Sequence, residues 1–178
     1  MRRLQIGVMG SAADLKYGKG TRLAAERVGE LIAKKGGILV FGAEKDYDSL
    51  STAACRGAKK ANGITVGITY GKGKDIYQKE GVDVIIPTGL ERGGGREFVL
   101  SLTCDAIIAI GGGSGTLAEI AIAYQANIPI VALAAYGGWS EKLAGTYIDA
   151  RKRVKILRAN TPDEAVELAI KAARSGKS

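Results

Sequence analysis

Short apolar runs alternate along the chain with stretches whose apolar residues recur every three or four positions, the pattern of β-α units wound around a parallel sheet. Leu4 to Met9 predicts the first strand, and Leu23, Val28, Leu31 and Ile32 give Thr21 to Lys35 helical spacing up to the stop at Gly36-Gly37. Ile38 to Phe41 follows as a strand, Ser49 to Ala61 as a helix closed by Asn62-Gly63, and Ile64 to Ile68 as a third strand. The polar stretch from Tyr70 to Gly81 reads as a loop. Val82 to Pro87 predicts a fourth strand, and behind Gly93-Gly94-Gly95 the segment Arg96 to Thr103 is a short helix leading into strand Ala106 to Ile110. The pattern closes with a helix from Thr116 to Gln125, a strand from Ile128 to Leu133, a helix near Trp139 to Leu143 and a short strand from Val154 to Leu157. Thr161-Pro162-Asp163-Glu164 supplies a capping hydroxyl, a first-turn proline and a carboxylate three residues on, so a last helix starts there. Its tail, Arg174 to Ser178, is expected to fray. With no internal repeat and no Pro-rich or Ser-rich linker, residues 1–178 are expected to form one doubly wound α/β domain: a three-layer sandwich around a mostly parallel sheet of about seven strands.

Composition narrows the chemistry mainly through what is missing. The chain has no histidine, which excludes Ser/His/Asp triads, Cys/His pairs and histidine-ligated zinc, and two cysteines outside any CxxC spacing make a metal centre or disulfide framework unexpected. The amino-terminal apolar run is too short for a signal peptide core or a membrane span, so a cytoplasmic location and no membrane partner are expected. A net charge of +8 would attract polyanions, yet the basic residues are scattered and only 6% of residues are aromatic, which argues against a dedicated nucleic-acid surface. Glycine is the outlier: 26 of 178 residues, about twice the usual share, with no collagen-like period, so the excess shapes loops.

One glycine cluster has chemical content. The strand Ala106 to Ile110 runs into Gly111-Gly112-Gly113-Ser114-Gly115-Thr116 and then into the helix Leu117-Ala118-Glu119-Ile120. Glycines there allow close backbone approach, and the helix start supplies unpaired N–H donors and a positive dipole end, which together suit a phosphate. The spacing is neither GxxxxGK[ST] nor GxGxxG, which weakens kinase, ATPase and nicotinamide readings. Thr116 can cap the helix, bind an oxygen, or both. Glu119 is either a dipole-stabilising carboxylate at capping-box distance from Thr116 or a functional one, and Arg96 is either a surface cation pairing with Glu97 or Glu91 or a ligand-facing one.

The run Arg96-Glu97-Phe98 through Asp105-Ala106, followed by Gly112-Gly113-Ser114-Gly115-Thr116-Leu117-Ala118-Glu119, resembles the LONELY GUY family, long mislabelled as lysine decarboxylases. It is most similar to the subgroup of small Rossmann-type nucleotide-binding proteins that includes the algal molybdenum cofactor carrier, which reads GGGxGTLxE. The resemblance implies a Rossmann-like homodimer or higher homo-oligomer that binds a nucleoside 5'-monophosphate or related phosphorylated ligand and, in the enzymatic members, hydrolyses its N-glycosidic bond to free base and ribose 5-phosphate. Carried over, Gly112, Gly113, Ser114, Gly115 and Thr116 hold the phosphate, Gly10 and Ser11 line the same crevice, and Arg96 and Glu119 are the catalytic pair. Glu119 would stabilise the oxocarbenium-like centre and activate water, while Arg96, too basic to donate a proton readily, would orient and stabilise charge. No metal and no required cofactor are implied; a bound nucleotide or molybdenum cofactor is. Two departures bear on turnover: Gly42-Ala43-Glu44-Lys45-Asp46-Tyr47-Asp48 stands where enzymatic members carry a glycine-rich segment, and Glu97 stands where they carry lysine. The alternative to a phosphoribohydrolase is therefore a non-catalytic carrier or sensor of a phosphorylated pterin or nucleotide such as molybdenum cofactor. Lysine decarboxylation is excluded, because neither motif holds a lysine for a Schiff base.

Overall fold

A computed structural model describes residues 2–176, so the last two positions of the expected frayed tail, Lys177 and Ser178, lie outside the described residues. The strands are β1 (Gln5–Gly10), β2 (Ile38–Gly42), β3 (Ile64–Thr69), β4 (Val84–Pro87), β5 (Ala106–Ile110), β6 (Ile130–Leu133) and β7 (Leu157–Ala159). The helices are α1 (Lys19–Lys34), α2 (Leu50–Lys60), α3 (Arg96–Leu102), α4 (Ser114–Gln125), α5 (Gly138–Leu143) and α6 (Pro162–Ser175). All seven strands join one sheet in the order β4-β3-β2-β1-β5-β6-β7, and every neighbouring pair is parallel. The fold is the expected Rossmann-like three-layer α/β sandwich.

Strands covered on both faces lose the polar alternation of a half-exposed strand, and β5, Ala-Ile-Ile-Ala-Ile, is buried throughout. Its Ile108 and Ile110 join Ile6, Val8, Leu39 and Phe41 under α1, α2 and α6. Ile107 and Ala109 face the other way, with Met9 and Val40, against Leu100 of α3 and Ile120 and Tyr124 of α4. Helices α1 and α2 touch backbone to backbone: a Cβ on Gly29 would stand 1.8 Å from the Ala54 carbonyl oxygen, and one on Gly57 1.8 Å from that of Glu26.

Local chemistry sets most boundaries as expected. Ser49 caps α2 by accepting from the Thr52 N–H at 3.0 Å, and Thr161 caps α6 by accepting from that of Glu164 at 3.2 Å. Several limits differ. Strand β7 lies later than Val154 to Leu157, because Ile156 exchanges hydrogen bonds with the turn after α5, donating to Thr146 and accepting from Gly145, before pairing with β6 begins. Strand β6 starts at Ile130 because the Ile128 N–H closes the end of α4 on Ala123. A 3-10 turn at Ala13–Leu15, ended by Lys16 in the left-handed region, was not foreseen in the sequence. Among the described residues no helix is long and apolar enough to cross a membrane.

Candidate functional site

Strands β1 and β5 are neighbours at the middle of the sheet, but the chain leaves β1 towards β2 and leaves β5 towards β6. Their following loops part and open a crevice at the carboxyl edge, the usual ligand position in an open α/β sheet. A cavity of about 480 Å³ occupies it, large enough for a nucleotide-sized molecule.

One wall is the loop from Gly111 into α4. Gly111 and Gly112 take φ of +62° and +96°, conformations that side chains disfavour, and a Cβ on Gly112 would fall 2.4 Å from that of Thr116. Two buried serines fix the loop. Ser11 accepts from the Gly112 N–H at 2.7 Å, while Ser140 accepts from the Gly111 N–H at 2.8 Å and donates to the Leu133 carbonyl at 2.8 Å. Gly113 is the N-cap of α4, and no side chain caps it, so the N–H groups of the first turn are left for whatever occupies the cavity.

The opposite wall is built around Arg96, which is only 4% exposed. Its Nη2 donates to Glu44 at 3.1 Å and also meets the Tyr70 hydroxyl; its guanidinium lies 4.2 Å from the Tyr70 ring centre. The Tyr70 hydroxyl donates to the same Glu44 oxygen at 2.6 Å, and Arg92 holds the other oxygen at 2.9 Å. Burial, opposed by Arg96 and reinforced by Glu44, pushes the Tyr70 hydroxyl well above its ordinary range, so it acts as a donor. Gly42 makes room for this arrangement: a Cβ there would stand 2.2 Å from Arg96 Nη1. Nη1 lies 3.9 Å from Glu119, too far for a hydrogen bond, and Arg96 Nε and Nη1 are buried without partners among the described residues. Burial raises the Glu119 carboxyl to about 8; Arg96 opposes the shift, and Glu97 and Glu44 add to it. It is therefore mostly protonated at neutral pH.

The expected residues converge. Gly10, Arg96, Gly113, Ser114, Gly115, Thr116 and Glu119 line the cavity, whereas Ser11 and Gly112 lie behind its wall and brace the loop. Two local readings are corrected. Thr116 is the third residue of α4, not its cap, so the capping-box relation with Glu119 does not exist. Arg96 is not a surface cation paired with Glu97 or Glu91: it is buried and pairs with Glu44. The sequence does not single out Tyr70 or Arg92, marks Glu44 only as a departure from a motif, and marks Glu97 as such a departure and as a candidate partner of Arg96. Position at the carboxyl end of a strand, two residues past β2 for Glu44 and one past β3 for Tyr70, is the signal that marks these two.

An all-parallel sheet with a braced glycine loop and an uncapped helix start at its switch point defines a Rossmann-like α/β protein. More narrowly, the chain belongs to the SLOG cluster4 family, whose profile matches residues 3–166. Among solved structures it is similar to TM1055, a structural-genomics target, at 28% identity over 94% of this chain and 99% of that one, with a TM-score of 0.83. It is similar to the molybdenum cofactor binding protein of the phototrophic bacterium Rippkaea orientalis at 30% identity over 96% and 98%, TM-score 0.79. It is also similar to the molybdenum cofactor carrier protein of Chlamydomonas reinhardtii at 31% identity over 98% and 99%, TM-score 0.75.

Proposed function

We propose that the protein binds a phosphorylated pterin or nucleotide in the β1–β5 crevice and carries it without cleaving it, molybdenum cofactor being the ligand the reading names. The observation behind this reading is that the uncapped first turn of α4 opens onto the same cavity as the buried Arg96 cluster. The phosphate sits on the α4 N–H groups of Ser114, Gly115 and Thr116, with Gly10, Ser11, Gly112 and Gly113 shaping the loop, and the ring system lies towards Arg96. The two similar proteins named for molybdenum cofactor support this choice of ligand. Carriage rather than turnover is favoured because Glu44 already occupies Nη2 of Arg96 and because Glu97 stands where the enzymatic motif carries a lysine.

A second reading rests on the Arg96–Glu119 approach at 3.9 Å. In a nucleoside 5'-monophosphate phosphoribohydrolase the protonated Glu119 would give its proton to the leaving base and, as the carboxylate so formed, take a proton from the water that adds to the anomeric carbon, yielding free base and ribose 5-phosphate. The free, buried Cys55 and Cys104 fit the reducing cytoplasm. Exposed Leu102 on α3 and Val84 and Ile86 on the edge strand β4 fit a homodimer or higher homo-oligomer, which light scattering tests directly.

One pair of assays separates the readings. Equilibrium binding of molybdenum cofactor, with no free base released from a panel of nucleoside monophosphates, is the expected result. Base released by the wild type and lost in Glu119→Gln establishes the hydrolase. Failure to bind either ligand class rejects both.

A further inference from the structure

The cavity wall opposite α4 holds more hydrogen-bond acceptors than the chain itself satisfies. Glu97 and Glu119 are each 7% exposed and both line the cavity. Glu97 Oε1 accepts a long 3.3 Å bond from the Gly93 N–H, and Oε2 accepts none from any described residue. Oε2 is also not among the polar atoms sealed from solvent without a partner, so it reaches the cavity's open space. Water can serve it there when no ligand is bound, and a ligand that displaces that water must bring donors of its own. Phe98, the next residue of α3, lines the same cavity and is 56% exposed, an aromatic face unused by the core.

A carboxylate is best satisfied by two parallel N–H donors, which it accepts as a fork. Fused ring systems built on a 2-amino-4-oxopyrimidine offer that edge: a ring N–H beside an exocyclic amino group, as in guanine and in pterins. Adenine offers only an amino group beside a bare acceptor nitrogen. We propose that Glu97 selects the ligand's ring, accepting from the two adjacent N–H groups of a 2-amino-4-oxopyrimidine while Phe98 covers the ring face. This rests on the phosphate-anchored binding proposed above and narrows its ligand to guanine-like or pterin-like compounds. Glu97 is thus a specificity-determining residue, and its carboxylate is the side chain that replaces a lysine of the enzymatic motif.

The test is calorimetric titration of the wild-type protein with GMP, AMP and neopterin monophosphate, repeated with Glu97→Gln. Expected is binding of GMP and the phosphorylated pterin about tenfold or more tighter than AMP, because a site built around two donors rejects a ring lacking them. The tighter of the two identifies the source of the ring. Glu97→Gln, isosteric but able to accept only one of the two bonds, should lower GMP affinity about tenfold or more and abolish the preference over AMP, whose amino group and bare ring nitrogen match the amide's acceptor and donor. Equal binding of GMP and AMP by the wild type overturns the assignment on its own, even if the variant does not fold, and leaves phosphate anchoring standing. A GMP preference that survives Glu97→Gln also overturns it. No binding of any of the three removes the phosphate-ligand reading, and this one with it.

Discussion

Replacing Glu119 with glutamine should stabilise the ligand-free protein, by an amount that grows with pH. The carboxyl titrates near 4.5 when unfolded and at about 8 in the folded protein, because burial outweighs the attraction of Arg96 at 3.9 Å. Between those values the folded state holds a proton that the unfolded state has released, so stability falls as pH rises through the window and levels off above it. At about 1.4 kcal/mol per unit, the span from 4.5 to about 8 corresponds to a loss of about 5 kcal/mol, a large share of a typical domain's stability. Glutamine keeps the volume and cannot ionise, so it removes this pH-dependent loss and leaves the contributions of other groups in place. Urea denaturation at pH 5, 7 and 9 reads the effect: the variant's advantage over wild type should increase across the series by several kcal/mol. Parallel profiles for the two proteins would refute the reasoning, because they would mean that Glu119 ionises as readily in the fold as out of it. An advantage that shrinks with pH would mean that Glu119 is held as a carboxylate by Arg96.

Three further outcomes follow from the packing. Gly29→Ala places a Cβ 1.8 Å from the Ala54 carbonyl oxygen, so α1 and α2 must separate, and the urea midpoint should drop by the equivalent of about 1–3 kcal/mol or more. Gly42→Ala puts a methyl 2.2 Å from Arg96 Nη1 and should weaken binding of the phosphorylated ligand in calorimetry by far more than it lowers the melting temperature; equal ligand affinity would dissociate Arg96 from binding. Cys55, whose thiol burial pushes up to about 11, and the equally enclosed Cys104 should resist a thiol reagent at pH 8 until denaturant is added, with rapid labelling of the native protein as the contrary result.

The order of strands and helices is legible in the sequence because it follows from local causes: periodicity, caps such as Thr161-Pro162, and glycine stops. The glycine loop is legible for the same reason, since Gly111 to Thr116 carries strand, turn and helix start within one short segment. Errors fell where distant segments compete for backbone groups, as at Ile156, which bonds to Thr146 instead of extending β7. The capping role of Thr116 failed over one turn of register, which only the backbone path through Gly112 and Gly113 settles.

The Arg96 wall of the site depended on contacts the sequence does not announce. Glu44, Tyr70 and the pair Arg92 and Arg96 come from three separate places in the chain, and only the parallel register of β2 and β3 with α3 packed against them brings them to one wall. The sequence by itself determined the elements, their alternation and a glycine loop able to hold an anion, because these depend on residues a few positions apart. The tertiary structure alone decided that Arg96 would be buried against Glu44 rather than exposed, that Glu119 would keep its proton, and that Glu97 would turn an unfilled acceptor to the cavity. Charge, protonation and hydrogen-bond vacancy depend on what surrounds a side chain in space, and those neighbours are set by the fold.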